Sequence, residues 1–215
     1  MTTLTTEVIR TGAPIGAARA AMIMVHGRGA SARGILELAD AFEAPDLAYI
    51  APQAQSGSWY PYSFMSPISR NEPDLSVALG TLAGLVDDLQ REGMASERIV
   101  LLGFSQGACL ALEFAARSAR RFGGVIALSG GLIGPEGTAR NYPGSLAGTP
   151  VFLGCSDVDT HIPLARVHES TEVLTKLGGD VTEKIYRGMG HTIVQDEVEH
   201  VKKILSGIAL PVSRS

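Results

Sequence analysis

The sequence predicts an α/β fold in which a mostly parallel central sheet is covered by helices on both faces. Short apolar runs of strand length alternate with longer segments of helical periodicity along the whole chain. The central apolar runs contain almost no polar residues, as expected of parallel strands that are buried on both faces. No repeat, low-complexity tract or linker interrupts the 215 residues, so we expect one domain over residues 1–215.

Six apolar runs are interpreted as the parallel strands of this sheet. The run nearest the C-terminus alternates polar and apolar residues, which places it nearer an edge of the sheet. Val8 and its neighbours are interpreted as an additional, antiparallel edge strand. The six predicted strands cover residues 20–25, 47–51, 99–104, 124–128, 150–154 and 181–186.

Four segments between these strands and one after the last strand have the spacing of apolar residues that is typical of helices. Pro73 suits the first turn of the second helix, because proline has no N–H to leave unpaired there. Gly93 and the pair Gly178-Gly179 mark helix ends. The predicted helices cover residues 31–42, 73–92, 108–116, 164–177 and 195–205.

Composition excludes several classes of function. The formal net charge of −4 and the lack of a basic cluster argue against nucleic-acid binding. No apolar run approaches the roughly 18–20 residues that cross a bilayer, and the first residues lack the pattern of a signal peptide, so we expect a cytoplasmic protein without a membrane span. Cys109 and Cys155 are expected to be buried free thiols, and their spacing predicts neither a disulfide framework nor a metal site.

The pentapeptide Gly103-Phe104-Ser105-Gln106-Gly107 is the most informative motif of the chain. A predicted strand leads into this G-x-S-x-G pattern and an alanine-rich predicted helix leads out of it, which is the setting of a nucleophile elbow. Such a turn exposes the serine hydroxyl above the sheet and directs the N-terminus of the following helix toward the reacting carbonyl. Ser105 is therefore the predicted nucleophile; the alternative is a capping serine in an ordinary turn.

A serine nucleophile needs a histidine base and an acid that orients it, and in this fold they follow the serine in the order acid, then histidine. His191 lies in a glycine-rich turn after the last predicted strand and is the predicted base, with His161 as its rival. The acid lies in the loop after the preceding strand. The residues alone leave Asp157 and Asp159 open, since alternate positions of an extended loop face the same way.

Backbone N–H groups are expected to bind the oxyanion. One would come from Gln106, which follows the nucleophile, and the other from Arg28 in the glycine-rich loop after the first parallel strand. His26 in that loop is interpreted as a structural residue. Two long irregular stretches, residues 53–70 and 132–149, follow strand ends, where open α/β sheets bind ligands. Trp59, Tyr62 and Leu132 from these stretches are predicted to contact substrate, although the aromatic cluster could equally fasten its loop to the core.

These residues together resemble the phospholipase/carboxylesterase family of α/β-hydrolases over almost the whole chain. The resemblance implies a single-domain α/β-hydrolase fold with Ser105 as nucleophile, His191 as base and Asp159, the second aspartate of the family's D-x-D-P-x-V-P loop, as acid. Thr160 replaces the proline of that loop, and Cys155-Ser156 replaces His-Gly before it. The resemblance rests on 25–29, 52–54, Trp59, 103–107, Ser129-Gly130, 157–159 with Ile162-Pro163, and Gly190-His191.

The sequence thus predicts a serine carboxylesterase that acts on short- to medium-chain esters without a metal or cofactor. The chain is too short for a large cap domain, so we expect a fairly open cleft. The alternatives are an acyl thioesterase or lysophospholipase with the same triad and, more remotely, a hydrolase-fold binding protein without catalysis. Dienelactone hydrolases commonly carry cysteine at the elbow, which disfavours that relationship. The expected partner is a small ester, and the family resemblance is compatible with a homodimer.

Overall fold

One seven-stranded sheet organises the computed structural model, which describes residues 7–208. The order across the sheet is β1-β3-β2-β4-β5-β6-β7; β1 runs antiparallel to β3, and every other pair is parallel. The predicted sheet is confirmed, including its antiparallel N-terminal edge. The strands are β1 (Val8–Gly12), β2 (Ala20–Val25), β3 (Leu47–Pro52), β4 (Ile99–Phe104), β5 (Gly124–Leu128), β6 (Pro150–Ser156) and β7 (Asp180–Tyr186).

Over residues 7–208 the chain forms six α-helices, of which five connect strands and the sixth follows β7. The predicted helix over residues 31–42 is wrong in one respect. It forms two short helices that meet at Glu37, whose N–H donates to the carbonyl of Gly34 three residues earlier and so tightens the turn. None of the helices described over residues 7–208 combines the length and apolar character needed to cross a membrane. The helices are α1 (Ala32–Leu36), α2 (Leu38–Ala41), α3 (Asp74–Arg91), α4 (Gln106–Ser118), α5 (Leu164–Lys176) and α6 (Gln195–Ser206).

The sheet separates two apolar layers, because successive side chains of a strand point to opposite faces. Helices α3, α4 and α5 cover one face and pack on residues such as Ile23 and Leu101. Helices α1, α2 and α6 cover the other face and pack on Met22 and Leu102. The uninterrupted apolar strands of the sequence are explained by this burial on both faces.

The carboxyl ends of the parallel strands lie along one edge of the sheet. The chain passes from β2 to β3 on one side and later returns to β4 on the other, so the strand order reverses at β2. Loops that diverge at such a reversal leave a crevice. The segments that follow β2, β4, β6 and β7 carry the candidate catalytic residues to this edge.

Candidate active site

Ser105 occupies a sharp turn between β4 and α4, with φ 55° and ψ −119°. A Cβ atom at Gly103 would overlap the main chain of Gly107, and a Cβ at Gly107 would overlap the carbonyl of Val25. Both positions therefore admit only glycine. Ser105 adopts a backbone conformation that L-residues rarely occupy, and the surrounding sheet and helix hold it there.

A continuous hydrogen-bonded chain leads away from this serine. The Oγ of Ser105 lies 2.8 Å from Nε2 of His191, and Nδ1 of His191 lies 2.7 Å from Oδ2 of Asp159. The carboxylate can only accept, so Nδ1 carries the imidazole proton and Nε2 is left to accept from the serine hydroxyl. The structure thus brings together the three residues that the sequence singled out.

The two aspartates that the residues alone left open have different partners. Asp159 faces His191, and its other oxygen accepts the main-chain N–H groups of His161 and Ile162 at 2.8 and 3.0 Å. Asp157 accepts the N–H of Gly188 at 2.8 Å. Asp157 therefore fastens the loop that carries the histidine, and Asp159 orients the imidazole.

The charge state of Asp159 follows from its surroundings. Its side chain is fully buried, and burial raises the pKa of the carboxyl. The hydrogen bond from His191 and the two main-chain N–H groups more than offset that effect, so the pKa of Asp159 lies below its ordinary value. The carboxylate is consequently ionised at neutral pH, as the orientation of a neutral imidazole requires.

The other two histidines near the cleft have different surroundings. His26 is buried, its Nδ1 lies 2.7 Å from the carbonyl of Gly27, and its Nε2 accepts the N–H of Ala54 at 3.1 Å. Burial lowers the pKa of His26, so it braces the loop as a neutral residue. His161, the rival base, is exposed, and its ring centroid lies 4.7 Å from that of His191.

The residues that carry the expected oxyanion donors, Arg28 and Gln106, line the same cleft as Ser105. Gln106 begins α4, so its N–H has no intrahelical acceptor. Within residues 7–208, neither this N–H nor that of Arg28 donates a main-chain hydrogen bond. Both N–H groups are therefore available to a substrate oxygen.

The side chains of the same two residues hold one loop, a feature that sequence reasoning missed. The amide of Gln106 accepts the N–H of Trp59 at 3.0 Å and donates to the carbonyl of Tyr60 at 2.8 Å. The guanidinium of Arg28 donates to the carbonyls of Tyr60, Pro61 and Tyr62 at 2.8, 2.9 and 2.8 Å. The loop over 59–62 thus ties the two oxyanion segments together.

A cleft of about 390 Å³ opens beside Ser105. Buried side chains form its floor, among them Tyr60, Phe64 and Cys109, while the half-exposed Tyr62 lies at its mouth. None of these three residues is predicted individually from the sequence to line a substrate cleft. The sequence did single out the aromatic segment to which the first two belong, and Cys109 stands one helical turn after the nucleophile, a spacing that could have found it.

Two of the three expected substrate contacts require correction. Leu132 is fully buried in the core, where its N–H donates to Oγ of Ser170 at 2.9 Å. Trp59 is 5% exposed, its indole N–H donates to the carbonyl of His26 at 2.8 Å, and its ring packs in the core. Tyr62 alone of the three lines the cleft.

Comparison with known proteins identifies the family. A family model described as phospholipase/carboxylesterase matches residues 6–208. The chain belongs to the phospholipase/carboxylesterase family. Members of this family hydrolyse carboxylic esters and thioesters, so the prediction of a carboxylic ester hydrolase is confirmed.

Individual phospholipase/carboxylesterase relatives match nearly end to end. The crystal structure of a phospholipase/carboxylesterase from Dyadobacter fermentans has a TM-score of 0.91 and 42% identity, covering 95% of this chain and 99% of that one. Esterase PE8 has a TM-score of 0.81 and 26% identity, covering 96% and 100%. Acyl-protein thioesterase 1 of Saccharomyces cerevisiae is 28% identical, covering 92% and 98%. The predicted α/β-hydrolase fold is confirmed by these matches.

Proposed function

We propose that this protein is a serine carboxylesterase that hydrolyses short- to medium-chain carboxylic esters through an acyl-enzyme. The observation that carries the proposal is the hydrogen-bonded chain from Ser105 through His191 to Asp159, at 2.8 and 2.7 Å. Next to it lie the unengaged N–H groups of Arg28 and Gln106. This arrangement supplies a nucleophile, a base, an orienting acid and two oxyanion donors.

In the proposed reaction, Nε2 of His191 takes the hydroxyl proton of Ser105 as Oγ attacks the ester carbonyl. The negative charge that develops on the carbonyl oxygen is bound by the N–H groups of Arg28 and Gln106. His191 then gives its proton to the leaving alcohol, and the acyl group stays on Ser105. Water attacks the acyl-enzyme after losing a proton to His191, which returns that proton to the departing Oγ.

The cleft floor supports a preference for acyl chains of limited length. Cys109 lines the floor only one helical turn, about 5.4 Å, beyond Ser105 along α4. The buried rings of Tyr60 and Phe64 also line the floor. Because packed side chains close the floor this near to Ser105, we expect short and medium acyl chains to fit better than long ones.

An acyl thioesterase or lysophospholipase with the same triad is the second candidate. The likeness to the yeast protein named acyl-protein thioesterase 1 favours the thioesterase reading. Turnover of p-nitrophenyl acetate, butyrate, octanoate and palmitate, of an S-acyl thioester and of a lysophospholipid separates the candidates. We expect the highest kcat/KM for butyrate or octanoate. A preference for palmitate, the thioester or the lysophospholipid would contradict the carboxylesterase proposal, and no turnover at all would favour a binding protein.

Two further expectations belong to this proposal. Each proposed step uses only side chains, main-chain N–H groups and water, so hydrolysis should be unaffected by EDTA. The family resemblance is compatible with a homodimer, and light scattering on the purified protein tests that assembly. Inhibition by EDTA would contradict the first expectation, and a monomeric mass would exclude the dimer.

A further inference from the structure

Two arginines lie at or beside the mouth of the cleft although the chain as a whole carries a net charge of −4. Arg28 is exposed and lines the cleft. The guanidinium of Arg70 lies over the ring of Tyr62, with its Cζ 4.2 Å from the ring centroid. Two cationic side chains therefore meet at one residue of the mouth.

Neither arginine has an acidic partner in the structure. Within residues 7–208, no carboxylate lies within 4.0 Å of the side-chain nitrogens of Arg28 or Arg70, and no acidic residue lines the cleft. The three carbonyl oxygens of the loop occupy three of the five N–H groups of Arg28, which leaves two unused. The guanidinium of Arg70 makes no hydrogen bond within the described residues.

The backbone that carries these cations is held in place. The N–H of Tyr62 donates to Oδ1 of Asn71 at 2.9 Å, and its carbonyl accepts from Arg28 at 2.8 Å. Asn71 is fully buried, and its amide also donates to the carbonyl of Ser63 at 3.0 Å. Tyr62 thus presents its ring to Arg70 from a fixed main chain, so the two charges are positioned before a ligand arrives.

The cleft is consequently graded from an apolar floor to a cationic mouth. Tyr60, Phe64 and Cys109 offer apolar contact at the floor, and Arg28 lines the cleft near its mouth. Arg70 lies beside the mouth, over the ring of the lining residue Tyr62. Guanidinium groups bind carboxylate and phosphate oxygens through paired hydrogen bonds. Arg70, whose N–H groups are unused within the described residues, can bind an anion in this way, and Arg28 adds its positive charge and two single N–H donors.

We propose that Arg28 and Arg70 form an anion-binding subsite, which selects short- to medium-chain esters whose alcohol part carries a carboxylate or phosphate. The inference rests on the proposed esterase function and names the class of ester for that same site. In this arrangement the acyl chain enters the floor beside Phe64, and the anionic part of the alcohol stays at the mouth beside Tyr62.

The test uses four butyrate esters that share an acyl group and differ in the charge of the alcohol. The alcohols are meta-hydroxybenzoate, meta-hydroxyphenyl phosphate, meta-hydroxybenzamide and meta-hydroxyphenyl-trimethylammonium, and each kcat/KM is normalised to the rate of hydrolysis by hydroxide. We expect the anionic esters to exceed the amide about 3- to 10-fold at low salt, and the cationic ester to be slowest. The carboxylate and phosphate arms show which anion is preferred. Equal rates for anionic and neutral esters would overturn the proposal.

Arg70→Gln is the sharper variant, because Arg28 also contributes to the oxyanion segment. The ratio of anionic to neutral ester turnover should fall about 3-fold or more in Arg70→Gln and be retained in Arg70→Lys. Arg120→Gln is the matched control: Arg120 is exposed, lies between α4 and β5 at the opposite edge of the sheet, and should leave the ratio unchanged. An unchanged ratio in Arg70→Gln, or an equal fall in Arg120→Gln, would overturn the subsite.

Failure of the subsite and failure of the esterase proposal give different results. If the wild-type protein hydrolyses the neutral ester but shows no preference for the anionic esters, the subsite alone is overturned. If it hydrolyses none of the four esters, the esterase proposal fails and the subsite with it.

Discussion

Replacing Asp159 with asparagine should remove most of the activity by changing the tautomer of His191. Oδ1 of Asp159 accepts main-chain N–H groups from His161 and Ile162 at 2.8 and 3.0 Å, so the asparagine carbonyl oxygen would take that position. Its NH₂ group would then face Nδ1 of His191, which would have to accept. The imidazole proton would move to Nε2, where it blocks proton transfer from Ser105.

We expect kcat of Asp159→Asn to fall about 10³- to 10⁴-fold, or roughly 4–5.5 kcal/mol of barrier, with little change in KM. Steady-state hydrolysis of p-nitrophenyl butyrate measures the effect, and thermal unfolding shows whether the variant is folded. Asp157→Asn is the matched control, because an asparagine oxygen can still accept the one N–H of Gly188 that Asp157 accepts at 2.8 Å. The reasoning is refuted if Asp159→Asn keeps more than about a tenth of kcat, or if Asp157→Asn loses more activity than Asp159→Asn.

Two further predictions concern side chains that support the site. Gln106→Met should leave the buried N–H of Trp59 without its acceptor, which should lower the free energy of unfolding by about 1–3 kcal/mol. The variant should also lower kcat more than it changes KM, because the loop no longer holds Gln106 in place. Urea denaturation measures the first effect and steady-state kinetics the second. Burial raises the pKa of Glu197 to about 7, so the folded state keeps the proton to higher pH than the unfolded chain does, and wild-type stability should fall as pH rises from about 5 to 7. Glu197→Gln should lack this decline, which is worth about 3 kcal/mol at most, and parallel pH dependences of the two proteins in urea would contradict the prediction.

The sheet and its edge could be predicted because hydrophobic periodicity reports burial directly. Strands such as β2 and β4 are apolar throughout since helices cover both faces, and β7 alternates because it is an edge. Helix boundaries could not be predicted from periodicity in the same way. The interruption at Glu37 arises from one local hydrogen bond and does not change the spacing of the apolar residues.

The sequence indicates where the candidate site lies, but not which side chains contact one another within it. The chain order and the glycine-rich turns placed Ser105 and His191, whereas the choice between Asp157 and Asp159 depends on which oxygen faces the imidazole, a tertiary contact. The aromatic cluster around Trp59 is compatible with a substrate contact or with fastening of the loop to the core. The hydrogen bond from the indole N–H to the carbonyl of His26, which only the folded chain provides, selects the second alternative for Trp59.

The side-chain contacts of Arg28 and Gln106 could not be predicted from the sequence, because they too are tertiary contacts. Their main-chain positions follow from the motifs, but the contacts of their side chains with residues 59–62 join segments far apart in sequence. A contact of this kind depends on the path of a long irregular loop, and such a loop has no periodicity from which the path could be read.

Hydrolysis of p-nitrophenyl butyrate by Ser105→Ala tests the central claim most directly. The variant removes only the Oγ that lies 2.8 Å from Nε2 of His191. If Ser105 forms the acyl-enzyme, kcat/KM should fall by at least about 10³-fold while the protein stays folded. Retention of kcat/KM within about tenfold of the wild-type value would contradict the account.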